Sequence, residues 1–579
     1  MRSLAGAVLV LSLALPAVSF AQDVADLIVL NAVIHTMDMA APTAQALAVR
    51  NGVILEVGDA ASVESLRGPG TRVIDAGGRV LLPGLIDAHG HVMGLGRALR
   101  TLDLVGTKSA QEIAERVRGT VVSRPVGDWV TGRGWDQNDW EVRRFPEKAL
   151  LDVAAPDHPV FLSRIDGHAA WVNSRALEAA DVTAETPDPA GGRIVRDSAG
   201  EPTGVLVDNA MELVAQAIPL PDREEREAQL AAATERMLSV GMTGVHDMGV
   251  NESELELYRE WAESGRLVPR IVAYLGADRE TLDWWDTVGL AAVGREPSPH
   301  LKVAGVKFYA DGALGSRGAA LLAPYDDEPE NRGLLVTDPD SLKARVARAM
   351  LEGLQPAIHA IGDRGNRVAL EAIAAGEREL AAANPPTPCA TAGGANADCA
   401  GVSPGLRPRI EHAQVVALED IPRFAELGVI ASFQPTHATS DMYWAEDRVG
   451  PERLRGAYAW RKFRDAGARI VCGSDFPVES PNPFFGIYAA VTRQDQEGWP
   501  AGGWWPEERM TREEALACFT RDAGWAAGME DEVGTLSVGK RADFVIVDRD
   551  PFTAPAEELW KTRVLRTVID GETVYEAEP

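Results

Sequence analysis

Four histidines, one lysine and one aspartate carry the chemical signal of this sequence. His89 and His91 form an H-x-H pair in LLPGLIDAHGH, Lys307 lies in GVKFYADG, His359 in LQPAIHAIGD, His412 in PRIEHAQVV and Asp475 in RIVCGSDFP. Each sits in or just after a short apolar run, so each reads as a side chain carried by a strand. Alternate strand residues point the same way, which puts His89 and His91 on one face. A lone His in an apolar strand is ordinarily a hydrogen-bonded core residue. Imidazoles plus a carboxylate at the ends of separate strands are the donor set of a divalent cation, with zinc the default and positions left for water. An ammonium has no lone pair and repels a dication, so Lys307 cannot join that set unmodified. Unmodified, it reads as one half of an ordinary ion pair, for instance with Asp311, beside a single ion held mainly by His89, His91 and Asp475.

The elements that would position these groups alternate along the chain. Strand-like runs at 241–249, 270–276, 304–312, 354–363, 408–416, 428–437 and 469–477 are separated by helical segments such as REEREAQLAAATERMLSVG and DSLKARVARAMLEG. With LLPGLIDAHGH as the first strand, this predicts an α/β protein, a (β/α)8 TIM barrel whose functional groups gather at the C-terminal ends of the strands. The span 92–240 is too long for one crossover and contains the hairpin-like GGRIVRDSAGEPTGVLVD, so it is expected to be an insertion over the barrel mouth. Both chain ends read as short strands, with Asn51-Gly52 and Asp570-Gly571 as tight turns. Residues 22–82 and 531–579 are therefore expected to form one small β-sandwich, and 83–530 the barrel domain.

The first 21 residues stand outside that plan. Arg2, the apolar run Val8–Leu15 and the small residues before Ala21 predict a secretory signal peptide, hence a periplasmic or secreted protein. The run is shorter than the roughly 20 residues needed to span a bilayer, so no membrane association is expected after cleavage. A formal charge of −29 leaves nothing to neutralise a run of phosphates, which excludes a nucleic-acid partner. Of the four cysteines, Cys389 and Cys399 bracket a Gly/Ala/Asn loop and are expected to be bridged. Cys472 and Cys518 lie in apolar contexts and read as small buried residues.

The pieces PGLIDAHGHV, GVKFYADGALGSRGA, AIHAIGDRGNR, RIEHAQ, SFQPTH and GSDFPV, with RNGVILEVGD and VGTLSVGKRADFVIVD at the ends, resemble the amidohydrolase superfamily and its N-substituted formamide deformylase-like branch. The resemblance implies two divalent ions: His89 and His91 on one, His359 and His412 on the other, a CO2-derived carbamate on Lys307 between them, and Asp475 as ligand and proton carrier. It implies a metal-dependent hydrolase of an amide-type C–N bond in a small molecule, such as a formamide, amide, cyclic amide or carbamate. Ester hydrolysis, or a lyase or isomerase reaction, is compatible with the same scaffold. A homodimer is compatible with the sequence as well. Further substrate contacts are expected from His168 and Asn173 in RIDGHAAWVNS, Arg317 in GALGSRGA, and His437 at the end of the QPTH strand. A loop hydrogen bond for His168 and Asn173, or a local salt bridge for Arg317, is the other reading. Trp135 could form an aromatic wall; His246, His35, His158 and His300 read as structural. No run of Arg or Lys marks an anionic substrate.

Overall fold

The computed structural model describes residues 24–122, 124–277, 298–383 and 406–578. The leader at 1–21 and the cysteines at 389 and 399 lie outside the described residues. No helix among the described residues is long and apolar enough to cross a membrane.

Eight strands form the barrel: β1 (Leu85–Gly90), β2 (Met242–Val250), β3 (Arg270–Gly276), β4 (Leu301–Tyr309), β5 (Gln355–Ala360), β6 (Arg409–His412), β7 (Ile430–Phe433) and β8 (Ile470–Cys472). They follow sequence order around one parallel sheet. Among the described residues, helices such as Arg223–Ser239 before β2 and Pro339–Leu351 before β5 return the chain. The one after β2, Glu252–Glu263, starts at a capping box in which Asn251 and Glu254 satisfy each other's backbone N–H groups, and it buries Leu255, Tyr258 and Trp261. The seam between β8 and β1 is closed just beyond the strand ends. There the Asp475 N–H donates to the His89 carbonyl at 2.7 Å and the His91 N–H to the Phe476 carbonyl at 2.8 Å. The Asp87 carboxylate accepts the backbone N–H and the hydroxyl of Ser474. A Cβ at Gly473 would lie 2.4 Å from the His89 nitrogen, so this close approach requires glycine.

The two chain ends meet in a pair of sheets. One runs Val53–Gly58, Ala46–Arg50, Leu27–Leu30, Arg72–Asp75; the other runs Glu572–Glu576, Val564–Ile569, Phe544–Val547, Val80–Pro83, Val33–His35, Thr43–Ala44. Phe544–Val547 pairs antiparallel with Val80–Pro83, joining the C-terminal strands to the N-terminal ones. Leu27, Val29, Leu47, Leu81, Phe544 and Ile546 belong to their shared apolar core. Asn51 and Gly52 both have positive φ and close the hairpin between Arg50 and Val53. Arg270 on β3 reaches this unit, donating to Asp543 and Asp570.

The insertion forms a mixed six-stranded sheet from Leu102–Asp103 to Pro202–Asp208 and Gly192–Arg196. Trp135 is fully buried in its core beside Trp140 and Trp171, with its indole N–H on the Leu162 carbonyl, so it is a packing residue and not an aromatic wall. Two further readings need correcting. Cys472 and Cys518 are joined in a disulfide, because the helix Arg512–Cys518 packs against the end of β8, a contact between residues 46 apart that no local pattern announces. The QPTH segment is not strand throughout. β7 ends at Phe433, and Pro435 opens a helix, Pro435–Asp441, that carries His437 in its first turn.

Candidate metal centre

The strand ends bring the sequence-predicted donors together. His89 is carried by β1, and His91 follows it as the first residue past the strand; Lys307 is on β4, His359 on β5 and His412 on β6, while Asp475 follows β8. One ligand atom each of His89, His412 and Asp475 lie within 4.8 Å of one another. The Lys307 Nζ is 3.2 Å from His89 Nε2, which is 3.4 Å from Asp475 Oδ1. The His359 and His412 ring centroids are 4.5 Å apart. His412 and Asp475 both adopt positive φ, 72° and 59°, a backbone state that residues with a Cβ hold only where their surroundings enforce it.

Outer hydrogen bonds decide which ring nitrogen faces inward. His89 Nδ1 donates to Glu411 Oε2 at 2.6 Å, His91 Nδ1 to the Met248 carbonyl at 2.8 Å, and His412 Nδ1 to Gln434 Oε1 at 2.8 Å. Each ring, when neutral, therefore turns an Nε2 lone pair away from these partners. For His91 that lone pair faces Asp475 Oδ1 at 3.0 Å. Two acceptors this close repel unless a proton or a cation lies between them, so the donor set fits a divalent ion. Burial pushes the His89 imidazole down to about 4, helped by the Lys307 charge, and holds His359 and His412 well below the usual range. Neutral imidazoles are the ligand form. Burial alone would raise Asp475; positive charge at the surrounding His89, His91 and His412, on the rings or on an ion they hold, outweighs that and keeps it ionised.

Lys307 is 1% exposed, and burial lowers its amine to about 8. Asp311 does not pair with it: its carboxylate accepts the backbone N–H groups of Ala320, Ile361 and Gly362.

Below the donors lies a charged support that the sequence reading missed. Glu411, the residue before His412, accepts from Arg409 as well as from His89. Arg409 also donates to His246 Nδ1, the Ala88 carbonyl and the Ser432 hydroxyl. His246 is thus structural. Glu411 and Arg409 were readable only as part of RIEHAQ; their alternation along β6 was the available signal, since it turns both toward the barrel interior.

The secondary positions divide. His168 Nδ1 bonds Asp208 at 2.7 Å, its ring centroid is 5.1 Å from that of His359, and it lines the cavity over the donors. Burial opposes its charge, yet Asp208 and Asp166 raise it to about 9. His437 stacks on His412, with its Nε2 lacking any hydrogen-bond partner 3.7 Å from Asp475 Oδ2. Asn173 is fully buried and caps the helix Ser174–Ala179, so it does not reach the site. Arg317 pairs with Asp327 in its own segment and lines neither cavity beside the donors. Its attraction to a nearby carboxylate, not to a substrate, sets its position. His35, His158 and His300 bond Asp550, the Asp128 carbonyl and Asp570, away from the donors.

Two cavities of about 960 and 590 Å³ meet at this cluster, and both include His168, His359, His412 and Asp475 in their walls. The larger is roofed by insertion residues such as Trp129, Phe161 and Ser163. A protein-family model for the amidohydrolase family matches residues 72–575. The chain belongs to the amidohydrolase family. It is 35% identical over 564 residues to Protein LONG AFTER FAR-RED 3 of Arabidopsis thaliana, covering 95% of this chain and 92% of that one. It is 30% identical over 568 residues to the N-substituted formamide deformylase of Arthrobacter pascens, covering 95% and 98%. Among solved structures, an uncharacterized metal-dependent hydrolase from Pyrococcus furiosus superposes with a TM-score of 0.69 at 30% identity, covering 91% of this chain and all of that one.

Proposed function

We propose that this family member is a metal-dependent hydrolase of amide-type C–N bonds in small molecules, with N-substituted formamides, amides, cyclic amides and carbamates as its range. The observation that carries the reading is the convergence of His89, His412 and Asp475 donor atoms within 4.8 Å, with the buried Lys307 amine beside them. His89, His91, His359, His412 and Asp475 would hold two divalent ions, zinc by default. Lys307 would lie between them as a carbamate, formed when its neutral amine attacks CO2 and releases a proton. Burial favours the neutral amine that this step needs, because an unpaired buried ammonium is costly. Bound there, the ions supply a lowered water pKa and a polarised substrate carbonyl.

The chain's own groups handle orientation and protons. Asp475 takes the proton of the attacking water and returns it to the leaving nitrogen as the C–N bond breaks. His437, partnerless beside Asp475, offers Nε2 to the reacting oxygen, and His168 closes the site from the insertion. The proposed partner is a small molecule, and the proposed location is the periplasm or exterior, supported by the signal-like leader and the Cys472–Cys518 bond. The test is amine release from N-substituted formamides by the purified mature chain. Turnover that a chelator abolishes and a divalent ion restores is the expected result; chelator-insensitive turnover, or none on any amide class, would overturn the reading.

A further inference from the structure

The donor cluster accounts for the reacting bond but not for the rest of the substrate. The larger cavity extends well past it, and Met93, Phe161, Ile218, Leu220 and Met248 give it an apolar wall. Into this space the insertion strand Val130–Trp135 delivers Arg133, which lines both cavities. Its guanidinium donates to the carbonyls of Pro477, two residues past Asp475, and Ile165. Among the described residues it makes no carboxylate contact within 4 Å.

The nearby acids are already committed. Asp166 is paired with Arg164, Asp475 faces the imidazoles, and Glu479 bonds the Ser440 hydroxyl while burial pushes it up to about 7. Arg133 feels the charges of Asp475, Asp166 and Glu479 but contacts none of them, so its guanidinium can take a further anion beside the reactive centre. The two carbonyls fix its plane and leave further N–H groups for a planar oxyanion. Arg97 and Arg124, both exposed, also line this cavity and, among the described residues, contact no carboxylate within 4 Å; Asp128, Glu225 and Glu254 share the lining. The three arginines come from three separate segments, which is why no basic run appears in the sequence.

We propose that Arg133 is a substrate anchor, and that the amides this site selects carry a carboxylate beside an apolar body. The proposal rests on the amide-hydrolase reading and narrows it. Arg133 acts by binding the substrate carboxylate, not by touching the scissile bond.

The test compares N-formylphenylalanine with N-formylphenethylamine, which differ only in the carboxylate. Wild type is expected to favour the acid at least tenfold in kcat/KM, equivalent to about 1.4 kcal/mol. Arg133→Gln should bring the ratio near one, and Arg133→Lys, which keeps the charge but not the fork, should leave it between. The ratio is read, so a general loss of rate divides out. If the Gln variant does not fold, the Lys variant decides. Calorimetric binding of 3-phenylpropionate against 3-phenylpropionamide, with and without chelator, supplies a readout free of turnover. Acid-selective binding lost in the variant, with no formamide hydrolysed, would sink the hydrolase reading and leave the anchor standing. Equal use of both formamides by wild type, or an acid preference untouched by either variant, would overturn the proposal and leave Arg133 as a tie between insertion and barrel.

Discussion

Replacing Glu411 by Gln probes the support beneath the donors. The side chains of Glu411 and Arg409 are both 0% exposed and 2.5 Å apart, and Glu411 also receives His89 Nδ1 at 2.6 Å. Gln preserves the shape and one acceptor but removes the charge, leaving the guanidinium buried without an anion. Breaking one side of such a pair costs about 3–5 kcal/mol. Loss of an outer partner to a ligating His lowers metal affinity by about 10–100-fold. Arg409→Met strands the carboxylate instead and should cost a similar amount. The double variant removes both charges, so its loss should fall short of the sum by about 1–3 kcal/mol. Urea titration of chelator-treated protein measures the stabilities, and competition with a chromophoric chelator measures the affinities. Additive stability losses, or single losses under about 1 kcal/mol, would refute the claim that this pair acts as a unit beneath His89.

Further outcomes follow from other contacts. Asp475→Asn should abolish turnover and leave much of the metal bound, as read by activity alongside metal content; an active variant would remove Asp475 from proton transfer. Burial raises the Asp570 carboxyl, but the His300 hydrogen bond and Arg270 outweigh it and lower it to about 2. A depressed carboxylate pKa gives stability that is present above about 4 and lost as pH falls through about 2. Its size is at most about 2.5 kcal/mol at 1.36 kcal/mol per pKa unit. Wild type should therefore exceed Asp570→Asn in urea stability at pH 5, and the gap should close toward pH 2. Cys518→Ser opens a cross-link between residues 46 apart, for which chain entropy gives a loss of about 4 kcal/mol. Non-reducing peptide mapping should find Cys472 joined to Cys518 in the parent protein.

The barrel strands were legible because each is a short apolar run bounded by turn residues, and the ligand-type residues because they end those runs. What escaped was whatever depends on packing between distant segments. The Cys472–Cys518 bond needs a helix laid against β8. Arg133 matters only once the insertion folds over the mouth, and Arg409 with Glu411 only once β6 faces β1 across the barrel. His437 was placed on a strand because QPTH continues an apolar run, whereas Pro435 starts a helix there. Arg317 shows the converse: its loop looked poised for substrate, and Asp327 took it.

A two-ion site built from His89, His91, Lys307, His359, His412 and Asp475 is proposed above. Metal content per chain, measured on protein purified without chelator, tests it most directly when paired with the mass of the Lys307 peptide. The expected result is two divalent ions and CO2 added to Lys307. One ion with an unmodified Lys307 would contradict the bridged centre, and no metal would contradict the site itself.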